Sequence, residues 1–470
     1  MFSNELWQKS GVPATYSIDQ SIRFNKPDSS VLTKTYGSEG TKTAFTMSCW
    51  IKPTLQANYG FLFGASTSND AWNVTTGSHL SWSSNTLAFY SGGTNYIITN
   101  RVFRDPSAWY HIVLAVNTAG SGTDKIKLYV NGTLETSFST DNRSSISGDL
   151  YIGDDVLHFI GGQVTTGTTN AFWDGYIAEF YYIDGSQLTA DSFAETNSNG
   201  IWIPKEYSGS YGSNGVHIDG RDASDLGDDE SGQGNDFSSS GLAAHDQVLD
   251  SPTNNFAVLN PIDTHNKLVG ELRNGNLELK DNSANAYVYG RATFGFDVTD
   301  SNGFYWESCD VVDGSGIGGI TEDNTALPSG SSLAFTGARG YNSINTSNHY
   351  KLENTTYNSV DLGVASNAGD IVQFCVKNGK LFIGVNGTYV LSGNPATEAN
   401  PLFTGLTGIF MPFAGLYSGA SYNTVYNFGQ DGTFAGNKTA QGNTDANGNG
   451  NFFYAPPSGA KALCSKSLGS

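Results

Sequence analysis

The sequence predicts an all-β chain of two β-sandwich domains in series, and three observations carry that expectation. A length of 470 residues exceeds what one hydrophobic core usually serves, since single cores stop growing near ~250–300 residues. Aromatic residues make up 13% of the chain beside 57 glycines and only 14% charged residues, a mixture of strand formers and turn formers. Short apolar runs recur from Ser21 onward with Gly, Asn and Ser between them, as in sandwiches and barrels.

In chain order, the runs at 45–51, 60–64, 86–90, 109–116 and 126–130 predict strands of a first domain. The last run enters Asn131-Gly132 and leaves it as an alternating stretch at 133–138. Asn-Gly between alternating strands predicts a tight hairpin, because both central residues of a type I′ turn need positive φ. The device returns as Asn386-Gly387, between Lys380-Leu381-Phe382-Ile383-Gly384-Val385 and Thr388-Tyr389-Val390, so a second domain of related architecture is expected. One short helix is predicted at 189–195, where Thr189 can cap the first amides and Asp191 lies in the first turn. Residues 206–280 turn polar and acidic, with Asp219, Asp222, Asp225, Asp228, Asp229, Glu230 and Asp236 among glycines and serines, and read as an extended linker. Residues 433–470, rich in Gly and Asn and carrying Pro456-Pro457, read as an extended tail. The expected organisation is an N-terminal attachment segment at 1–14, a sandwich at 15–205, the linker at 206–280, a sandwich at 281–432 and the tail at 433–470. Trp7 near one end, and Phe452, Phe453 and Tyr454 near the other, lie outside either sandwich. Ordering such segments costs entropy that only burial of these groups offsets, so both ends are expected to pack on a sandwich, on the linker or on another subunit.

The 44 acidic residues against 24 basic ones give a formal charge of −20, which repels phosphate backbones and speaks against nucleic acid as a partner. Cys49, Cys309, Cys375 and Cys464 lie far apart without a Cys-x-x-Cys pair, so neither a zinc site nor a dense disulfide framework is expected. The N-terminus lacks a basic stretch followed by an apolar one, and no run reaches the length of a membrane span, so neither export by that route nor membrane insertion is expected. A composition of extracellular type without an export signal fits a virion component made in a host cytoplasm and released by lysis.

Three sets of motifs carry a resemblance. Ser21-Ile22-Arg23-Phe24, Phe45-x-Met47-Ser48-x-Trp50-Ile51-Lys52, Trp109-Tyr110-His111-Ile112-Val113, Leu128-Tyr129-Val130-Asn131-Gly132 and Asp174-Gly175-Tyr176-Ile177-Ala178-Glu179-Phe180 resemble the laminin-G-like branch of the concanavalin-A-like superfamily. Phe304-Tyr305-Trp306-Glu307, Gly369-Asp370-Ile371-Val372-Gln373-Phe374, Leu381-Phe382-Ile383-Gly384-Val385-Asn386-Gly387 and Asn427-Phe428-Gly429-Gln430 resemble a SPRY domain. Both resemblances imply concanavalin-A-like or jelly-roll sandwiches. Ser21-Ile22-Arg23-Phe24-Asn25, Ile201-Trp202-Ile203-Pro204-Lys205, Asp250-Ser251-Pro252-Thr253-Asn254-Asn255-Phe256 and Pro456-Pro457-Ser458-Gly459-x-Lys461-Ala462-Leu463 are similar to proteins of marine tailed phages, notably phages of cyanobacteria, which implies a virion structural protein.

Glycosidases of this superfamily use two carboxylates on one face. The nearest approach is Glu307-Ser308-Cys309-Asp310, where strict alternation sends Glu307 and Asp310 to opposite faces, so no catalytic residue is assigned and no hydrolase activity is expected. Gly314-Ser315-Gly316-Ile317-Gly318-Gly319 matches Gly-x-Gly-x-x-Gly, but no helix start follows it, so it reads as a glycine-rich strand connection. The histidines show no metal-binding spacing and no Gly-x-Ser-x-Gly elbow occurs; His111 alternates with apolar neighbours and reads as a structural histidine.

Candidate ligand-binding residues are Asp70, Trp72 and Asn73 in a polar loop, because a sugar packs its C–H face on an aromatic ring while its hydroxyls bond amides and carboxylates. Tyr341, His349, Tyr350 and Tyr357 lie in an irregular stretch of the second domain, where the SPRY resemblance implies a partner site. Asp154 and Asp155 are the candidate metal ligands, for calcium, which takes carboxylate oxygens and which laminin-G-like domains often carry on their rim. The acidic cluster at 219–236 lacks the spacing of a calcium loop and reads as a solvated linker.

The expectation is a phage virion surface protein of tail-fibre or receptor-binding type, binding host-surface glycans or proteins through sandwich loops and acting as a homo-oligomer with other virion proteins. A capsid or tail decoration or connector with only virion partners is the alternative, and a polysaccharide-degrading enzyme is the third reading.

Overall fold

The computed structural model describes residues 16–55, 59–67, 76–163, 171–264, 272–280, 286–312, 316–323, 337–344, 348–356, 359–418 and 422–468. The chain forms two compact units, one ending at Thr253 and one beginning at Asn254. Each unit is a pair of open antiparallel sheets around its own core.

In the first unit one sheet runs, edge to edge, through Thr133–Leu134, Ile126–Val130, Tyr110–Asn117, Ala44–Pro53, Gly175–Asp184, Ser21–Phe24 and Gln247–Val248, with Val216–Ile218 also paired to Gly175–Asp184. The other runs through Phe138–Asp141, Thr94–Thr99, Thr86–Ser91, Gly77–Ser83, Tyr59–Ser66, Leu157–Ile160, Val31–Thr35 and Ser238–Ser240. Alternation sets the faces: Ile126, Leu128 and Val130 are buried while Lys127 and Tyr129 between them are half-buried. Phe63 meets Phe180 across the two layers with ring centroids 5.3 Å apart, and Trp82 meets Trp173 edge-on at 5.2 Å.

The second unit pairs a sheet of Leu259–Thr264, Ala286–Ala292, Ile409–Ser418, Ile317–Glu322, Arg339–Asn342, Asn348–Glu353 and Asp361–Ala365 with one of Leu272–Arg273, Glu278–Lys280, Asn423–Asn427, Phe304–Asp310, Asp370–Lys377, Lys380–Val385 and Thr388–Tyr389. Trp306 stacks on Phe374 at 5.0 Å, Tyr341 of the facing sheet approaches Phe374 at 5.9 Å, and the Tyr426 hydroxyl donates to the Ile317 carbonyl at 3.0 Å. Among the described residues every sheet has free edges, so the units are sandwiches and not closed jelly-roll barrels.

Both expected hairpins form. Asn131 and Gly132 have φ of 48° and 77°, Asn386 and Gly387 have φ of 50° and 82°, and in each case the flanking strands pair directly. The glycine-rich run, from Gly316 on, lies in and before strand Ile317–Glu322 beside Arg339–Asn342; residues 313–315 are outside the described residues. The helix at 189–195 reduces to a single 3-10 turn, Ala190–Ser192, which Thr189 does not cap, because the chain passes at once into strand Ala194–Thr196.

Two boundaries differ from the sequence reading. Residues 206–280 are not a linker. Val216–Ile218, Ser238–Ser240 and Gln247–Val248 are strands of the first unit, and Leu259–Thr264 and Glu278–Lys280 are strands of the second. Within the acidic cluster Asp222, Asp225, Glu230 and Asp236 stay exposed, while two carboxylates further along take partners from the sandwich. Arg23 pairs with Asp246 at 3.3 Å, and the Lys52 ammonium reaches Asp250 at 2.7 Å, with Trp109 Nε1 donating to the same carboxylate at 3.0 Å. The 433–470 tail is likewise part of the second unit up to 468: Phe434, Phe452, Leu463 and Cys464 are fully buried, and Lys461 and Cys464 form bridges to Phe304 and Phe256. The expectation for Trp7 and the 1–14 segment lies outside the described residues.

Candidate functional site

The residues proposed for the second domain's partner site are drawn mostly inward. Tyr341 and His349 sit on neighbouring strands, fully buried, with their rings 5.3 Å apart. The Tyr341 hydroxyl donates to Asp310 Oδ1 at 3.2 Å, Ser343 donates to Asp310 Oδ2 at 3.3 Å, and His349 Nε2 lies 3.5 Å from Asp370 Oδ2. Asn386 Nδ2 donates to Asp370 Oδ1 at 2.8 Å, so the hairpin tip is tied into the same cluster. Burial pushes the Asp310 carboxyl up to about 6, against the opposing pull of His349 and the hydroxyl donors. Tyr341 and His349 are therefore corrected from rim residues to core residues: regular strands replace the expected irregular stretch, and alternation turns both toward the facing sheet. Tyr350, one position on from His349, is half-buried, and Tyr357 lies outside the described residues, as do Asp70, Trp72 and Asn73.

Glu307 and Asp310 do face opposite ways. Asp310 points between the sheets. Glu307, buried on the outer face, accepts from Tyr305 Oη at 2.7 Å, from the Phe453 and Tyr454 amides at 2.9 and 2.8 Å, and from Asn427 Nδ2 at 3.4 Å. Burial pushes its carboxyl up to about 7, although these four donors favour the charged form. What Glu307 does is clamp the C-terminal segment; all its acceptor positions serve the fold.

The first unit holds a similar knot that the sequence reading missed. Glu179 sits at a β-bulge with φ of 50° and accepts from Tyr181 Oη at 2.6 Å and Tyr16 Oη at 2.9 Å, with His217 Nε2 at 3.0 Å. Burial opposes its charge, but the hydrogen bond and charge of His217, joined by the tyrosine donors, hold the carboxyl below its usual range. Nothing local marks it, since both bulge and partners come from packing. His111 is structural, as expected. Trp202 Nε1 donates to its Nδ1 at 3.2 Å, which leaves Nε2–H facing Ser48 Oγ at 2.9 Å, and burial pushes the ring down to about 3.

On the first unit's rim, Asp154 and Asp155 come together with Glu39, one oxygen of each carboxylate lying within 4.8 Å of the others. The hydrogen bond from the Gly40 amide to the Gly153 carbonyl, 2.7 Å, joins the two loops that carry them. In kind these are the oxygen ligands of a calcium ion. In place, the Lys42 ammonium already lies 3.1 Å from Glu39 and 3.6 Å from both Asp149 and Asp154, so an ion must displace it. Glu39 and Lys42 escaped the sequence reading because the 39–42 loop is remote from Asp154 along the chain.

Residues 25–203 match the family model of the Concanavalin A-like lectin/glucanases superfamily, of laminin G type. The first unit carries a laminin-G-like, concanavalin-A-like β-sandwich domain. Among solved structures, the chain is similar to a native heptameric SAP-like pentraxin from Limulus polyphemus, at 20% identity and a TM-score of 0.30 over 44% of this chain and 95% of that one. It is also similar to domains LG4-5 of the mouse laminin alpha1 chain, at 12% identity and a TM-score of 0.28 over 86% and 84%. A third likeness is the SPRY domain of human HERC1, at 13% identity and a TM-score of 0.25 over 36% and 96%. No curated protein matches the chain.

Proposed function

We propose that the chain is a glycan-binding surface protein of a virion, of tail-fibre or receptor-binding type, which recognises host-surface saccharides through loops of its sandwiches. The observation that carries glycan binding is the match of residues 25–203 to a superfamily described as lectins and glucanases. Binding is favoured over hydrolysis because Glu307 and Asp310 face opposite sides of their sheet and each is engaged by donors of its own chain. The virion assignment rests on the phage-like motifs at 21–25, 201–205, 250–256 and 456–463, and brings with it other virion proteins and further copies of the chain as partners. Calcium enters as a competitor of Lys42 for Glu39, Asp154 and Asp155.

The test is a saccharide array probed with the purified chain, beside antibody labelling of intact particles in the electron microscope. Saturable binding to a defined class of glycan and label on the particle surface are expected. Absence of any glycan bound, with label present, turns the reading into the connector; release of sugar that disappears in Glu307→Gln turns it into an enzyme.

A further inference from the structure

Beside the Asn386-Gly387 hairpin a shallow groove of about 510 Å³ opens in the second unit, lined among others by Thr388, Tyr389, Ser392, Asn394, Pro395 and Pro457. Its size falls within the ~300–1,000 Å³ of small-molecule sites. Among the described residues no acidic or basic side chain lines it. Tyr389 supplies a half-buried aromatic wall with its hydroxyl buried, Pro457 supplies half-buried apolar C–H surface while Pro395 is itself buried, and Thr388, Ser392 and Asn394 are exposed polar groups.

The wall is built rigidly. Leu391, Ser392, Glu398 and Asn400 all sit in the left-handed region, at φ of 54°, 58°, 57° and 50°. This strained loop is held by reciprocal backbone bonds between Asn394 and Ala399, by Asn400 Nδ2 donating to the Ser392 carbonyl at 3.2 Å, and by the Lys380–Glu398 pair at 2.7 Å. Asn394 Oδ1 accepts from the Ala396 and Thr397 amides at 3.0 and 3.2 Å, so its orientation is fixed and its Nδ2 donors are left for the groove.

We propose that this groove is a subsite for a neutral oligosaccharide, bound with one sugar ring against Tyr389 and Pro457 and its hydroxyls bonded by Asn394 Nδ2, Ser392 and Thr388. The inference rests on the glycan-binding reading and adds to it a place and a chemical class. A ring stacked on an aromatic wall with fixed neutral donors is what saccharide recognition requires, and the lack of any cation leaves nothing to pair an anionic sugar. A peptide added as a further strand fits less well, because the neighbouring edge strand is only the two residues Thr388–Tyr389.

The experiment is calorimetric titration of the full chain with maltohexaose, cellohexaose, laminarihexaose and mannohexaose, with 3′-sialyllactose and hexagalacturonate as charged comparators. Asn394→Asp keeps the oxygen that caps the loop but replaces the donor, and Ala396→Trp fills the groove from an exposed position. The expected result is binding of a neutral hexaose that falls at least tenfold in each variant, with unfolding midpoints unchanged. Neutral binding that neither variant alters, or binding of charged sugars alone, overturns the subsite and leaves glycan binding standing. No binding of any saccharide by the chain, here and on the array, overturns both. A variant whose unfolding midpoint falls is replaced by Ser392→Asn, read by the same loss of affinity.

Discussion

The two units secure a polar segment to the outer side of a sandwich by opposite chemistry. In the first, basic side chains meet carboxylates inside the fold: Lys52 with Asp250, Arg23 with Asp246, His217 with Glu179. In the second, the carboxylates mostly receive uncharged donors. Glu307 holds the Phe453 and Tyr454 amides, and Asp445 holds the Ala462 amide and the Ser467 hydroxyl, at 2.8–2.9 Å. Desolvation pushes the Glu307 carboxyl up in spite of its hydrogen bonds, whereas Glu179, hydrogen-bonded by His217 and two tyrosines, is held down. The difference teaches that a segment rich in Asp, Gly and Asn becomes structure whenever the fold offers each polar group a partner.

Breaking a matched pair is expected to have the largest effect. Lys52→Met leaves Asp250 buried without its counter-charge and should cost the first unit about 3–5 kcal/mol, read by denaturant unfolding. Lys52→Met joined to Asp250→Leu should recover much of that loss, and failure to recover it would show that the Trp109 hydrogen bond to the Asp250 carboxylate matters more than charge.

The next contrast is in pH. Glu307 is raised from 4.5 to about 7, so folding favours its proton: this contribution is full below pH 4.5, declines as pH rises to about 7, and is level above. Glu179 is lowered, so its contribution is full above pH 4.5 and is lost as pH falls through the folded value. Hydrogen exchange, corrected for intrinsic rates, should show the Phe453 and Tyr454 amides opening more readily toward pH 7 and the His217 amide opening more readily in acid. Glu307→Gln should abolish only the first slope, at a cost of about 1–3 kcal/mol for the clamp it weakens. Equal slopes in both units would remove the distinction.

A smaller effect is expected at the two hairpins. Gly132→Ala places a methyl carbon 2.7 Å from the Trp202 ring, and Gly387→Ala places one 2.9 Å from the Tyr454 ring, both at positive φ. Each should cost about 1 kcal/mol or somewhat more in thermal unfolding, with the first unit losing more because Trp202 is also the donor to His111. The smallest effect belongs to calcium. Millimolar calcium should leave the unfolding midpoint of the chain unmoved and raise that of Lys42→Ala, where Glu39, Asp154 and Asp155 are freed; a rise in the unaltered chain would mean that the ion displaces Lys42 readily.

Alternation and turn chemistry made the sandwich strands and both Asn-Gly hairpins legible, because each depends on neighbours in the chain. The same local rules misplaced Tyr341 and His349: the run was read as irregular, and only pairing with the adjoining strands turns their side chains toward Asp310 and Asp370. The acidic stretch was misread for a related reason. Its composition is that of a solvated linker, and the partners of Asp246, Asp250 and His217, which are Arg23, Lys52 and Glu179, stand 223, 198 and 38 positions earlier.

By itself the sequence determined the all-β class, the division into two sandwiches, the hairpin turns and the separation of Glu307 from Asp310, all of which follow from side-chain period and local backbone preference. The tertiary structure alone decided which segments belong to which sandwich, where the carboxylates find donors, that Lys42 stands among the rim carboxylates, and that an uncharged groove opens beside the second hairpin. These depend on contacts between residues far apart in the chain, and the free energy of a buried polar group is set by the partner it meets and not by its neighbours in sequence.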